Sequence, residues 1–231
     1  MSIPPSESSS PLLALVSPAE PGVGNPDQTQ RPPLKLGLMA SGTGSNFVAI
    51  ADAIAQHRLA AQIQLLIYNN PGAAVAERAQ ERHIPAHYLN HRDFSQREKF
   101  DQQIVNLLQA ADVEWVVMVG WMRRITQVLL DAFPDQIINI HPSLLPSFPG
   151  MRAIEQALEH PVKISGCTVH IVRLEVDSGP ILVQAAVPVH ADDTPDRLHH
   201  RIQVQEHRII VQAIAQIAQQ KSLHSLLMTK K

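Results

Sequence analysis

A carboxamide and an imidazole two residues apart, Asn139 and His141, close an apolar run that begins at Ile137. In an extended strand that spacing puts both side chains on one face. A donor amide beside a titratable ring suits a reaction in which negative charge develops on oxygen. Pro142, Pro146, Pro149 and Gly150 follow, so neither a helix nor a central strand continues past His141. A plainer reading stands equally beside the chemical one: a polar strand end before a proline-rich connection. Asp177, in Glu175-Val176-Asp177-Ser178-Gly179-Pro180, supplies a carboxylate. It is either a turn residue, the common use of Asp before Ser-Gly-Pro, or a partner that holds the His141 ring and raises its pKa.

A second group of residues lies near the start of the globular part. The strand-like run Leu34 to Ala40 leads into Ser41-Gly42-Thr43-Gly44-Ser45-Asn46. Beyond it Phe47, Ile50, Ala51 and Ile54 recur with helical spacing. Strand, glycine loop and helix N-terminus together can cradle a phosphate on backbone N–H groups. Phe47 stands where a dinucleotide fingerprint has its third glycine, and there is no Gly-Lys-Ser/Thr. The second strand, Ile63 to Tyr68, ends in Asn69-Asn70-Pro71-Gly72 instead of an acidic residue for ribose hydroxyls, which favours a ligand with a single phosphate. Gln203 and Glu206 share one face of a long C-terminal helix. That face is either simply solvated or a second contact to the same ligand. His83, His87 and His91 are spaced by four, but Pro85 breaks the helix that would align them, so they read as surface histidines.

The elements that must position these groups alternate between strand and helix. The pattern predicts an α/β fold, a Rossmann-like, mostly parallel twisted sheet flanked by helices, with ligands at the carboxyl ends of the strands. The 231 residues fit one domain with a tail: a disordered, dispensable segment over 1–33, rich in Pro, Ser and Gly, and a catalytic domain over 34–225. A formal charge of −2 argues against nucleic-acid or membrane-surface partners. The lone Cys167 allows no internal disulfide and points to a cytoplasmic setting. No apolar run approaches the roughly 20 residues that span a bilayer, and Leu12 to Val16 is too short for a signal-peptide core.

Four segments occur together in order and spacing: Ala40 to Asn46; Gly120-Trp121-Met122-Arg123; Asn139-Ile140-His141-Pro142-Ser143-Leu144-Leu145-Pro146 with Pro149-Gly150; and Asp177-Ser178-Gly179-Pro180. Over about residues 34 to 220 the chain closely resembles the phosphoribosylglycinamide formyltransferases, the folate-dependent formyl-transferring family of purine synthesis. The Asn-x-His and Asp set is common to folate formyl-handling enzymes, and His-Pro-Ser-Leu-Leu-Pro-x-x-Pro-Gly is specific to this branch.

The resemblance implies the formyltransferase fold and a catalytic trio of Asn139, His141 and Asp177. It also implies a ribotide site from Gly44, Ser45 and Asn46 with Gln203, Val204, Gln205 and Glu206. The folate site it implies is made of Arg97, Met122, Arg123, Arg124, Ile125, Asn139, Arg173, Leu174, Glu175, Val176 and Asp177. The implied co-substrate is 10-formyltetrahydrofolate, with no metal. The partners are small molecules, with neither nucleic acid nor membrane, in a monomer or homodimer. The chain departs from the family at Arg124-Ile125, often Ile-Leu there, and at Ser178, often Gly. A formyltetrahydrofolate deformylase would use the same trio with water as acceptor, but it carries an extra N-terminal regulatory domain. A methionyl-tRNA formyltransferase needs a C-terminal RNA-binding domain. A nucleotide-binding regulatory module is the non-enzyme alternative, and turnover with folate excludes it.

Overall fold

Strands buried on both faces read as continuous apolar runs, and the two central ones here do so. Alternate residues of Leu34–Ala40 (β2) part to opposite sides. Leu36, Leu38 and Ala40 join one core with Phe47, Ile50, Ile202, Ile209 and Ile210, while Met39 joins another with Phe100, Ile104, Leu108 and Leu129. Phe47 is fully buried, and truncating such a side chain to alanine costs about 3–5 kcal/mol. The computed structural model describes residues 15–18, 32–160 and 162–228.

The remaining elements follow in chain order: Val16–Ser17 (β1, before β2), Ser45–Ala55 (α1), Ala61–Tyr68 (β3), Val75–Glu81 (α2), Ala86–Tyr88 (β4), Arg97–Ala110 (α3), Trp115–Met118 (β5), Gln127–Ala132 (α4), Ile137–His141 (β6), Ala153–Glu159 (α5), Ile164–Ile171 (β7), Ile181–Pro188 (β8) and Pro195–Met228 (α6). They build one sheet in the order β1-β8-β7-β6-β5-β2-β3-β4. From β4 to β6 every pairing is parallel, and from β6 through β7 and β8 to β1 every pairing is antiparallel. The carboxyl ends of β2, β5 and β6 therefore lie on one edge, and the antiparallel flank returns the chain to it.

The spacing of Leu198, Ile202, Ile209, Ala213 and Ile217 predicts a helix to about Gln219. The helix instead continues to Met228, since neither Gly nor Pro follows Pro195 before that point. Thr194 opens it, its hydroxyl accepting from the Arg197 N–H at 3.3 Å. β7 ends three residues short of the expected Leu174, because Val172 donates to the Ile137 carbonyl and the chain then leaves the sheet.

The segment 1–33 differs from expectation at one place. Val16 pairs with Ala185 and Ser17 with Gln184 as β1, the Ala186 N–H donates to the Leu15 carbonyl, and Gln212 of α6 donates to the Pro18 carbonyl. The reason is an edge strand, β8, whose backbone groups would otherwise lack partners. Residues 1–14 and 19–31, the bulk of the expected disordered tail, lie outside the described residues. Among the described residues no helix is long and apolar enough to cross a membrane.

Candidate active site

Asn139 and His141 lie at the carboxyl end of β6, and Asp177 reaches them from the connection between β7 and β8. That connection starts at the opposite end of β6, where Val172 pairs with Ile137, and folds back along the strand. Asp177 Oδ2 stands 3.3 Å from His141 Nδ1, with both side chains under a tenth exposed. The same oxygen accepts from the Gly150 N–H at 2.7 Å. Burial pushes the Asp177 pKa up, but its contacts with His170, the Gly150 N–H and His141 outweigh that, and the net shift is downward. Asp177 is thus ionised in the folded protein at neutral pH. His141 Nε2 lies 2.8 Å from the Phe148 carbonyl oxygen. With an acceptor at each nitrogen, both contacts are hydrogen bonds only when the ring carries two protons.

The loop after His141 is held from below. Ser143, fully buried, donates to the carbonyls of Ser147 and Phe148 at 2.6 and 3.3 Å. Thr168 on β7 donates to the Ser143 carbonyl at 2.7 Å and accepts from the Leu145 N–H at 3.1 Å. Gln184 on β8 donates to the Leu145 carbonyl and to Thr168. Phe148 and Asp177 both adopt positive φ, 54° in each case, a conformation a side-chain-bearing residue keeps only when its surroundings impose it.

The acceptor side is built where α1 begins. Gly44 caps the helix at φ 76°, and a Cβ there would come within 2.4 Å of Val75. Ser45 Oγ accepts from Gln203 Nε2 at 3.1 Å, and Asn46 Nδ2 donates to Glu206 Oε2 at 3.1 Å. The glycine loop and the Gln203/Glu206 face are therefore one surface, which their separation of about 160 residues does not reveal. Burial raises the Glu206 pKa, against the Asn46 hydrogen bond and the charge of His199. Asn46 Oδ1 is buried with no hydrogen-bond partner among the described residues. Val204 is exposed, and the Gln205 amide oxygen accepts from Arg208, so these two side chains do not join the pair.

The expected folate-side residues divide. Met122 is exposed, its N–H held by Ser41 Oγ at 2.9 Å, and Arg123 lies over the Phe100 ring. Leu174 and Val176 are exposed on the returning connection beside Glu175. Ile125 is buried in the core of the α3–α4 side, which leaves it a packing role. The Arg173 guanidinium is paired with Asp135 at 2.6 Å. Arg97 opens α3 and Arg124 follows Arg123, both exposed. The three histidines spaced by four separate, His83 just after α2, His87 in β4 and His91 in a single 3-10 turn. Among the described residues no group of three His, Cys, Asp or Glu side chains could hold a metal ion.

Sequence reasoning missed Ser143, Thr168, His170 and Gln184. The signal that could have found two of them is antiparallel register, which sets His170 opposite Asn139 and Thr168 opposite His141.

The family model described as formyl transferase matches residues 34–214. The phosphoribosylglycinamide formyltransferase of Bacillus subtilis is 39% identical over 183 residues, 79% of this chain and 94% of that protein. The trifunctional purine biosynthetic protein adenosine-3 of Drosophila melanogaster is 39% identical over 193 residues; the match takes in 83% of this chain but spans only 14% of the Drosophila protein. Among solved structures, glycinamide ribonucleotide transformylase 1 of Symbiobacterium toebii superposes with a TM-score of 0.80 at 42% identity, over 81% of this chain and 88% of that one.

Proposed function

Because the chain belongs to the formyl transferase family, we propose that it formylates the amine of 5-phosphoribosylglycinamide, taking the formyl group from 10-formyltetrahydrofolate. The product is N-formylglycinamide ribonucleotide, an intermediate of de novo purine biosynthesis. The amine nitrogen attacks the formyl carbon, and a carbon–nitrogen bond forms as the carbonyl oxygen takes up negative charge. Collapse breaks the bond to folate N10, and the proton lost by the amine ends on that nitrogen. The enzyme forms no covalent bond to the group.

Asn139 is a donor to the oxyanion, such a donor being worth roughly 2.7–4 kcal/mol, and His141 serves it as a second donor once its Nε2 turns from the Phe148 carbonyl. Asp177, 3.3 Å from His141 Nδ1, holds that ring in place and lies where it can relay the amine proton. Gly44, Ser45 and Asn46 hold the phosphate end of the ribotide, Gln203 and Glu206 its sugar and amine end. Met122, Arg123, Leu174 and Val176 border the folate.

The observation that carries this reading is the joining of Ser45 to Gln203 and of Asn46 to Glu206. Water as acceptor needs no such surface, while a phosphorylated amine uses both its N–H groups and its buried acceptor. Holding the amine against the formyl carbon can supply an effective molarity of roughly 10⁵ M or more. The test is folate deformylation followed by absorbance, with and without ribotide, and formate measured separately. Rapid consumption only with ribotide, with the formyl group recovered on its amine, is the expected result. Formate release indifferent to ribotide would make the protein a deformylase.

A further inference from the structure

We infer that Ser41 is a positioning residue that holds the acceptor loop and the folate-side segment at a fixed spacing. The two segments leave neighbouring strands. β2 and β5 pair in parallel as far as Met39 and Met118, after which one chain leads to the glycine loop and the other to Trp121 and Met122. Two backbone bonds carry the pairing past the strands. The Val119 N–H donates to the Met39 carbonyl at 2.9 Å, and the Ser41 N–H donates to the Gly120 carbonyl at 3.0 Å. Gly120 then turns at φ 77°, and the next contact is made by a side chain, Ser41 Oγ accepting from the Met122 N–H at 2.9 Å.

Ser41 is fixed from the other side as well. Its carbonyl accepts from Asn70 Nδ2 at 2.7 Å, just beyond the end of β3. The residue is 5% exposed. A backbone N–H only donates and a carbonyl only accepts, so the sense of each of these bonds is settled by the atoms present. One residue therefore stitches together the chain where it leaves β5, β2 and β3. The far end of the folate-side segment has a separate anchor, the Thr126 N–H donating to buried Asp101 on α3 at 2.6 Å.

The reacting amine and the formyl carbon belong to different ligands, and different segments hold them. Gly44 to Asn46 follow Ser41 on one chain, and Arg123 follows Met122 on the other. The rate depends on how the two atoms are spaced, and an error on the order of 1 Å can cost roughly 10²-fold. A drift of one segment against the other leaves each ligand its own contacts. Loss of the Ser41 hydroxyl is therefore felt in kcat and not in either affinity.

The inference rests on the proposed placement of ribotide and folate. Ser41→Ala removes one oxygen and leaves both backbone bonds and the Asn70 bond in place. Its kcat should fall at least about tenfold, with the dissociation constants of glycinamide ribotide and of tetrahydrofolate, each measured alone, within about threefold. Ser41→Thr restores the hydroxyl and should bring kcat back to within about threefold of the unaltered chain. Amide exchange of the full chain should quicken at Met122 in Ser41→Ala and stay unchanged at Val119. A kcat loss below tenfold, affinities falling in step with kcat, or Ser41→Thr no faster than Ser41→Ala overturns the inference. Val119 exchange quickening together with Met122 also overturns it, since Ser41 would then only support the fold. An unaltered chain that transfers no formyl group refutes the proposed function, whereas transfer at full rate by Ser41→Ala refutes only this inference.

Discussion

At the acceptor end two helices meet through two side-chain pairs, Ser45 with Gln203 and Asn46 with Glu206. At the catalytic end a single carboxylate, Asp177, collects His141, His170 and a backbone N–H. The first arrangement joins the glycine loop and helix N-terminus after β2, in the parallel half, to α6, which packs on α1 and on β7 and β8. The second belongs to the junction with the antiparallel half, where β7 and β8 hold the proline loop through Thr168 and Gln184 and set His170 beside Asn139. Removing a side chain at the acceptor end should weaken one ligand. Removing one at the catalytic end should disturb several others that depend on it.

The sharpest test of that contrast is Asp177→Asn, for which the largest effect is expected. Asn tolerates the left-handed backbone that Asp177 occupies, and its oxygen can still accept from Gly150. The fold should persist, while kcat falls by roughly 10³-fold with both affinities within a few-fold. Single-turnover rates and equilibrium binding separate these, and a loss below tenfold would reduce Asp177 to a turn residue. The pH dependence has a definite sign. The Asp177 pKa is lowered on folding, so its stabilisation is present above the ordinary carboxylate range and is lost as pH falls through the depressed value. The variant should therefore lose less stability than the unaltered protein on acidification in that window.

Gly44→Val probes the acceptor end. The added side chain meets both a φ of 76° and the Val75 side chain. The cost is about 2–4 kcal/mol from backbone strain and overpacking. If the fold survives, ribotide KM should rise at least about tenfold while folate binding holds. Parallel loss of both ligands would show the two ends are not separable.

How far the sequence made each end legible follows from the same contrast. The acceptor loop is contiguous, and Gln203 and Glu206 are aligned by helical periodicity, so each half could be recognised by itself. Their meeting could not, because it depends on α6 crossing over α1. Asn139 and His141 were visible as alternate residues of one strand. Asp177 was ambiguous, since the turn that makes Asp common before Ser-Gly-Pro is also what aims it at His141. His170 and Thr168 were hidden inside an apolar-looking strand, where only antiparallel register gives them meaning. Val16–Ser17 was hidden for another reason, since two residues carry no periodicity.

A smaller effect is expected at Glu206. Burial raises its pKa, so the folded state favours the proton, and stability is lost as pH rises from the unfolded value through the raised one. Glu206→Gln removes that cost yet keeps an oxygen for Asn46. It should raise Tm at neutral pH by about 2–4 °C, corresponding to about 1 kcal/mol, and increase ribotide KM. A Tm gain without a KM change would leave Glu206 structural and move the acceptor surface onto Gln203 alone.

The smallest effect tests whether the antiparallel flank needs its outermost strand. Deleting residues 1–31 removes the Leu15 carbonyl that accepts from Ala186 and the Pro18 carbonyl that accepts from Gln212. Each such bond contributes about 0.5–1.5 kcal/mol net, and part is regained when water reaches the freed groups. Val16 also leaves the core against which it packs. A Tm fall of a few degrees is therefore expected, where composition alone predicted none. Turnover should hold, because Gln184, opposite Ser17, is still paired with β7 at Thr168 and keeps its contact with Leu145. Amide exchange at Ala186 should quicken while that at Thr168, in the strand beneath, is unchanged. If Thr168 exchange and kcat moved together with the deletion, the edge strand would be part of what holds the catalytic loop, and the line between the two halves would have to be drawn one strand further out.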